Sequence, residues 1–251
     1  MKRSRTRAPA HREALAGAGA GPSLRARPFF RHMGSGAPAE LLSESQQRRL
    51  AAIATVVRLP PRKIIYHEHD VARWIFICSE GVLKAFRELR SGKRRIAAFL
   101  FPGDMFGIAE NGRYVNAIRT IIAVTLHRIE ADQLSAALRH DPDLQAQVLI
   151  KVTHELRESQ RRAIIIGRRD AAGRFAMFLA MLEAHPSFTS GSGIIRIAMS
   201  RSDIADYLGL SLEALSRATG RLTRGGIIAF EDRHTVRVLD PKALTRLAEE
   251  V

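Results

Sequence analysis

The spacing of apolar residues changes along this chain, and each change marks a boundary. Between residues 41 and 60, Leu41, Leu42, Leu50, Ile53 and Ala54 fall on one helical face, which predicts a helix there. From Lys63 to Ile129 the apolar runs become short. Ile64–Tyr66, Trp74–Ile77, Val82–Phe86, Ile96–Phe101 and Thr120–Ile129 read as strands. Ser79-Glu80-Gly81, Ser91-Gly92-Lys93 and Pro102-Gly103-Asp104 read as the turns between them. Short strands at roughly ten-residue spacing predict a barrel or jelly roll.

The helical period returns at Asp141-Pro142, an N-cap followed by a proline at the first helical position. Leu144, Val148, Val152, Leu156, Ala163 and Ile166 recur at threes and fours on nearly one stripe, and Gly167 supplies a stop. Such a helix, about 25 residues, would be roughly 37 Å long. A narrow stripe of that length suits either the chain's own barrel or a partner helix, and a symmetric dimer seam is the economical reading. A second helix, around Asp170–Ala184, carries Phe175, Phe178, Leu179 and Leu182, and residues 186–193 read as a loop.

The C-terminal third then resumes as a compact helical unit. Ser200, with Asp203 three residues on, makes a capping-box start. Ile204, Ala205 and Leu208 form the inner face of a short helix, Gly209 gives a tight turn, and Ser211 caps the next helix. The inner face of that next helix is Leu215, Ala218 or Thr219, and Leu222. This is a helix-turn-helix layout, whose second helix enters the major groove N-terminus first. Glu213, Ser216 and Arg217 share one outward face in its first two turns, where base edges are reached. Arg bonds guanine bidentately, Glu accepts from cytosine N4, and Ser adapts to either. Ser200, Arg201, Ser211, Arg221 and Arg224 are placed for phosphate contacts, which set position and not sequence. After Gly225-Gly226, residues Ile227–Phe230 and Thr235–Val238 with a turn between them predict a wing.

Charge adds to this picture. The 251 residues carry 40 Lys plus Arg against 25 Asp plus Glu, a net charge of +15, so the chain is drawn to polyanions. Residues 1–40 hold 8 basic and 2 acidic residues without apolar periodicity, which reads as a disordered basic arm. An organelle transit peptide and a true start at Met33 are the other readings of that segment. Cys78 is the only cysteine, which fits a reducing compartment and supplies no multi-thiolate metal site. No apolar run reaches the roughly 20 residues of a membrane span, so a cytoplasmic protein is expected. No paired carboxylates, nucleophile-base pair or phosphate loop is present, so no enzyme is expected.

The chain resembles the superfamily of the cyclic-AMP receptor protein and the fumarate-nitrate reduction regulator (Crp/Fnr), and within it the FixK-like branch. The resemblance spans roughly residues 41–250. It rests on Met199-Ser-Arg-Ser-Asp-Ile-Ala-Asp-Tyr-Leu-Gly-Leu210, on Glu213 with Ser216-Arg217, and on Phe101-Pro-Gly-Asp-Met-Phe-Gly107. It implies an α+β architecture: a β-roll (double-stranded β-helix or jelly roll) at 41–140, a dimerisation helix at 141–167 and a winged helix-turn-helix at 168–251. It also implies that Glu213, Ser216 and Arg217 read a palindromic TTGAT-type site.

The departures inform as well. One cysteine cannot hold the iron–sulfur cluster of the oxygen-sensing members. The Gly-Glu-Leu phosphate cassette of cyclic-AMP binders, with its following Arg, is replaced by Phe106-Gly-Ile-Ala-Glu110 and Tyr114-Val-Asn-Ala117, with Glu110 out of register. Arg113 or Arg119 are the remaining candidates for the counter-charge. His67 and His69 read as exposed loop residues, with a metal or haem ligand as the alternative. Cys78, among Ile75, Phe76 and Ile77, reads as a buried small apolar residue. The expected protein is a homodimeric activator with no cofactor, with DNA, a second copy of itself and RNA polymerase as partners and no membrane. The alternative is a sensor whose roll binds haem, a gas or a small effector.

Overall fold

The computed structural model describes residues 44–88, 92, 94–168, 170–189 and 193–249. The basic arm expected at 1–40 lies outside the described residues. Helix α1 (Glu44–Ala52) leads into strands β1 (Ala54–Leu59), β2 (Ile64–Tyr66), β3 (Trp74–Glu80), β4 (Leu83–Glu88) and β5 (Arg94–Leu100). The short strands β6 (Met105–Phe106), β7 (Ala109–Glu110) and β8 (Arg113–Tyr114) follow, then β9 (Ala117–Thr120) and β10 (Val124–Glu130). Helices α2 (Ala131–His140), α3 (Pro142–Arg168) and α4 (Ala171–Glu183) come next. The C-terminal unit is β11 (Ile194–Arg196), α5 (Arg201–Leu208), α6 (Leu212–Arg224), β12 (Ile228–Phe230), β13 (Thr235–Val238) and α7 (Pro241–Glu249).

Two antiparallel four-stranded sheets, ordered β1-β10-β3-β6 and β2-β9-β4-β5, face each other and make the roll. Between them lies an apolar layer that includes Val57, Tyr66, Phe76, Phe106, Tyr114, Ile118 and Leu126. The turn at 102–104 is held from both sides. Asp104 Oδ2 accepts from Phe101 N–H at 2.8 Å, and Gly103 N–H donates to Cys78 O at 2.8 Å. Gly103 sits at φ 98, a conformation that only glycine adopts without strain.

Residues 54–59, expected to continue the first helix, form strand β1 instead. Thr55, Val56 and Val57 are β-branched and stiff at χ1, and alternation buries Val57 and Leu59 while Thr55 and Arg58 stay outside. Helices α2 and α7 and strands β6, β7, β8 and β11 are additions to the expected elements, and the strand expected at Thr120–Ile129 starts only at Val124, with β9 a separate strand before it.

The long helix runs as expected, and Asp141 caps it by accepting from Leu144 N–H at 3.0 Å. Its stripe divides in two. Leu144, expected on the partner seam, is only 1 % exposed and packs with Leu50, Ile77, Met105, Ile129 and Leu134 of its own chain; Val148 leans on the same cluster. The first turns of α3 thus complete the roll's core, because a cluster between α1, α2 and the β1-β10-β3-β6 sheet needs an apolar cover. Beyond them Val152 and Leu156 are exposed, as are Ala163 and Leu149, which the expected stripe left out. Together Leu149, Val152, Leu156 and Ala163 follow coiled-coil spacing. The side chain of Ile166 lies outside the described residues.

A second core joins the roll to the C-terminal unit. Val82, Phe86, Ile96, Phe99 and Phe101 of the roll share one cluster with Phe175, Phe178, Leu179, Tyr207 and Leu208. The Phe99 and Tyr207 rings lie 4.9 Å apart, and Phe101 meets Phe188 edge-on at 4.8 Å.

Candidate nucleic-acid interface

Helix α5 starts where Ser200 Oγ accepts from Asp203 N–H at 3.1 Å and stops at Gly209, which sits left-handed at φ 64. A left-handed residue there reverses the chain within one turn, and glycine has no Cβ to resist it. Helix α6 then starts where Ser211 Oγ accepts from Ala214 N–H at 3.0 Å. Ile204, Ala205, Tyr207 and Leu208 of α5 and Leu215, Ala218, Thr219 and Leu222 of α6 are buried. That burial fixes the rotation of α6, so its other face is turned outward.

Glu213, Ser216 and Arg217 stand together on that outward face, all exposed. Arg217 Nη1 donates to Glu213 Oε1 at 2.8 Å, an i,i+4 pair whose side chains remain 71 % and 77 % exposed. In water such a pair adds little to stability, but it holds the guanidinium and carboxylate side by side on the outward face. Leu212, at the first position of the helix, is also exposed.

The residues expected on phosphates surround this face. Ser200, Arg201, Ser211, Arg221 and Arg224 are all exposed. The two serines sit at helix N-termini, where free N–H groups and the helix dipole favour an anion. Arg201 stacks its guanidinium over Phe230 of the wing at 5.4 Å. Arg221 is already engaged: its Nη1 donates to Asp170 Oδ2 at 2.6 Å. The Gly173 N–H first, and then Arg221, hold the Asp170 carboxyl below its ordinary value. The wing is a three-stranded sheet, β11-β13-β12.

Two supporting residues have no local signal in the sequence. Arg174 on α4 donates from Nη1 to Leu208 O at 3.1 Å and to Gly209 O at 3.4 Å, which fastens the turn of the helix-turn-helix. Lys84 of the roll pairs with Asp203 of α5. Both partners lie far apart in the chain, so only the folded arrangement reveals them.

The roll's interior is filled by aromatic rings. Tyr66 stacks on Tyr114 at 3.6 Å, Phe76 on Phe106 at 5.2 Å, and the Tyr114 hydroxyl donates to Trp74 O at 2.9 Å. Burial pushes the Tyr66 hydroxyl well above its ordinary value. Burial likewise pushes up the Cys78 thiol, which lies fully inside the roll. His67 and His69 are exposed in the turn after β2, and no cluster of three or more metal-ligating side chains occurs among the described residues. Nor, among them, is any helix long and apolar enough to cross a membrane.

Residues 173–247 match the Crp-like helix-turn-helix domain family, and residues 56–141 match the cyclic nucleotide-binding domain family. The chain is 31 % identical over 200 residues to the nitrogen fixation regulation protein FixK of Azorhizobium caulinodans, covering 79 % of this chain and 81 % of that one. It is 30 % identical over 208 residues to the transcriptional activatory protein AadR of Rhodopseudomonas palustris, covering 82 % and 87 %. Among solved structures, FixK2 from Bradyrhizobium japonicum superposes with a TM-score of 0.74 at 28 % identity, over 79 % of this chain and 99 % of that one.

A cyclic nucleotide does not fit the residues of this roll. A buried phosphate needs a counter-charge, but Arg113 donates to His69 O and Arg119 to Arg62 O, both on outer turns. Glu110 is exposed on the β7–β8 hairpin, and Tyr66, Phe76, Phe106 and Tyr114 occupy the space between the sheets. The architecture of a β-roll, a long helix and a winged helix-turn-helix, with this degree of likeness, places the chain in the Crp/Fnr family of helix-turn-helix transcription regulators, in its FixK-like branch.

Proposed function

We propose that the chain is a homodimeric, sequence-specific activator that binds a palindromic TTGAT-type site and needs no iron–sulfur cluster or cyclic nucleotide. The observation that carries this reading is the outward face of α6, where Glu213, Ser216 and Arg217 stand exposed beside a capped helix N-terminus. Arg217 would bond a guanine edge, Glu213 a cytosine amino group, and Ser216 a neighbouring base. Ser200, Arg201, Ser211, Arg221 and Arg224 would hold the backbone, with Arg221 exchanging Asp170 for a phosphate. Leu149, Val152, Leu156 and Ala163 support pairing through α3, since four exposed apolar residues at coiled-coil spacing are stable only against a partner. Two reading helices related by a two-fold axis call for two half-sites. The aromatic packing of the roll supports activity without an effector. A cytoplasmic protein that contacts RNA polymerase completes the reading.

A gel-shift of the purified protein, without additives, on a palindromic TTGAT duplex tests this. Tight binding there and much weaker binding to a scrambled duplex is the expected result. Equal affinity for both would overturn sequence-specific reading, and binding only after an added effector would overturn independence from one.

A further inference from the structure

Gly220 stands in the interior of α6, partly exposed. Each residue of a helix advances by about 100°. Gly220 therefore lies one turn beyond Ser216 and one turn before Arg224, in the middle of the strip they form with Glu213 and Arg217. Leu215, Ala218 and Leu222 lie on the opposite, buried side.

Among the described residues nothing calls for a glycine at this position. Its backbone is not in the left-handed region, unlike Gly209 or Gly226. A Cβ built there would meet only the Arg224 guanidinium, at 3.4 Å, which is ordinary contact with the end of a flexible side chain. Gly107 contrasts with it: a Cβ there would fall 2.8 Å from Trp74 O, so the chain itself demands that glycine. Glycine is the poorest helix former after proline. Gly220 thus weakens α6 and gains no contact among the described residues for doing so.

We infer that Gly220 is a positioning residue for duplex DNA, whose missing side chain lets α6 seat deeply enough for its neighbours to reach base edges. The inference rests on the proposal that this face enters the major groove. A helix with its side chains is about 10–12 Å across, and the groove is about 12 Å wide, so the fit has little slack. Gly220 lies on the midline of the inserted face one turn behind Ser216, so any side chain there limits how far the first two turns can enter. Arg217 reaches sideways from that line, Glu213 lies almost on it two turns nearer the N-terminus, and Ser216 is short, so a bare backbone at 220 sets how close all three come. A methyl or larger group there would hold the helix off and stretch their hydrogen bonds to the bases, while the phosphate contacts at the rim would survive.

The test is the pair Gly220→Ala and Gly220→Leu in the full-length chain, with thermal unfolding and gel-shifts on palindromic and scrambled duplexes. Both variants are expected to raise Tm, the alanine by about 2–4 °C. Both should lose affinity for the palindrome, the alanine by about tenfold and the leucine by more. Affinity for the scrambled duplex should not change. Variants with raised Tm that bind the palindrome as tightly as the parent would overturn the inference. So would a fall in Tm, which would give Gly220 a packing role inside the chain. A parent that does not distinguish the two duplexes would overturn the groove reading beneath it as well.

Discussion

Lys84 Nζ, on strand β4 of the roll, lies 2.5 Å from Asp203 Oδ1 in the first turn of α5, with both side chains almost fully covered. This ion pair bridges the two halves of the molecule, beside the Phe99–Tyr207 contact that joins their apolar surfaces. Breaking one side of such a pair leaves a covered charge without its partner. Lys84→Met is expected to lower stability by about 2–4 kcal/mol, measured by urea unfolding, with a little solvent access tempering the loss. Replacing both residues, as Lys84→Met with Asp203→Leu, should restore much of it, because an apolar pair of similar volume needs no compensation.

Arg217 and Arg224 should separate in a binding experiment, although both are exposed arginines on α6. Arg217→Ala should cost about 1–3 kcal/mol on the palindrome and relax discrimination at one base pair. Arg224→Ala should weaken every duplex alike and lower the salt dependence of binding by about one unit of slope. Titrations at several salt concentrations on specific and scrambled duplexes read both effects.

Leu144 and Leu156 lie on the same helix but should fail differently. Leu156→Asp is expected to give a folded monomer by sedimentation, with a large loss of affinity for the palindrome, because that side chain is 58 % exposed. Leu144→Ala should instead destabilise the chain by about 2–5 kcal/mol, since it opens a cavity in the core of the roll.

His127 on β10 is 3 % exposed and shares a 2.6 Å hydrogen bond with Ser79 Oγ. Burial lowers its affinity for a proton below the ordinary value of 6.5. The folded state therefore prefers the neutral ring, and the unfolded state binds the proton more readily. The stability this contributes is present in full above pH 6.5 and is lost as pH falls from there through the lowered folded value. Unfolding free energies measured across that range should decline on the acid side, and His127→Asn should flatten the decline.

The aromatic plug makes a further expectation. Because Tyr66, Phe76, Phe106 and Tyr114 pack the roll, Tyr66→Ala should destabilise the fold by about 3–5 kcal/mol. Added cyclic AMP should leave the Tm of the parent unchanged in a thermal-shift titration.

Much of this molecule was legible in its residue order. The two capped helices, the glycine between them and the outward triad follow from local rules: Ser200 and Ser211 accept N-terminal N–H groups, Gly209 takes a conformation other residues resist, and a 3.6-residue period turns Glu213, Ser216 and Arg217 away from Leu215 and Leu222. Each rule acts over a few residues, so a single sequence carries it. The long helix was legible for the same reason, whereas the replaced phosphate cassette was legible only through the family resemblance.

Long-range contacts settled the rest. The stretch 54–59 has apolar residues that suit either period, and its pairing with β10 along six residues made it a strand. Leu144 and Leu156 have the same chemistry on one stripe, but the roll's core was close enough to cover only the first. Lys84 met Asp203, 119 residues on, and Arg174 met the turn at Gly209, because burying Phe99, Phe178 and Tyr207 together brought their backbones near. Burial of a shared apolar face has no sequence period across such distances. The residues that orient the helix-turn-helix on the roll were therefore invisible until the chain was folded, while those on the outward face of α6 were visible from the start.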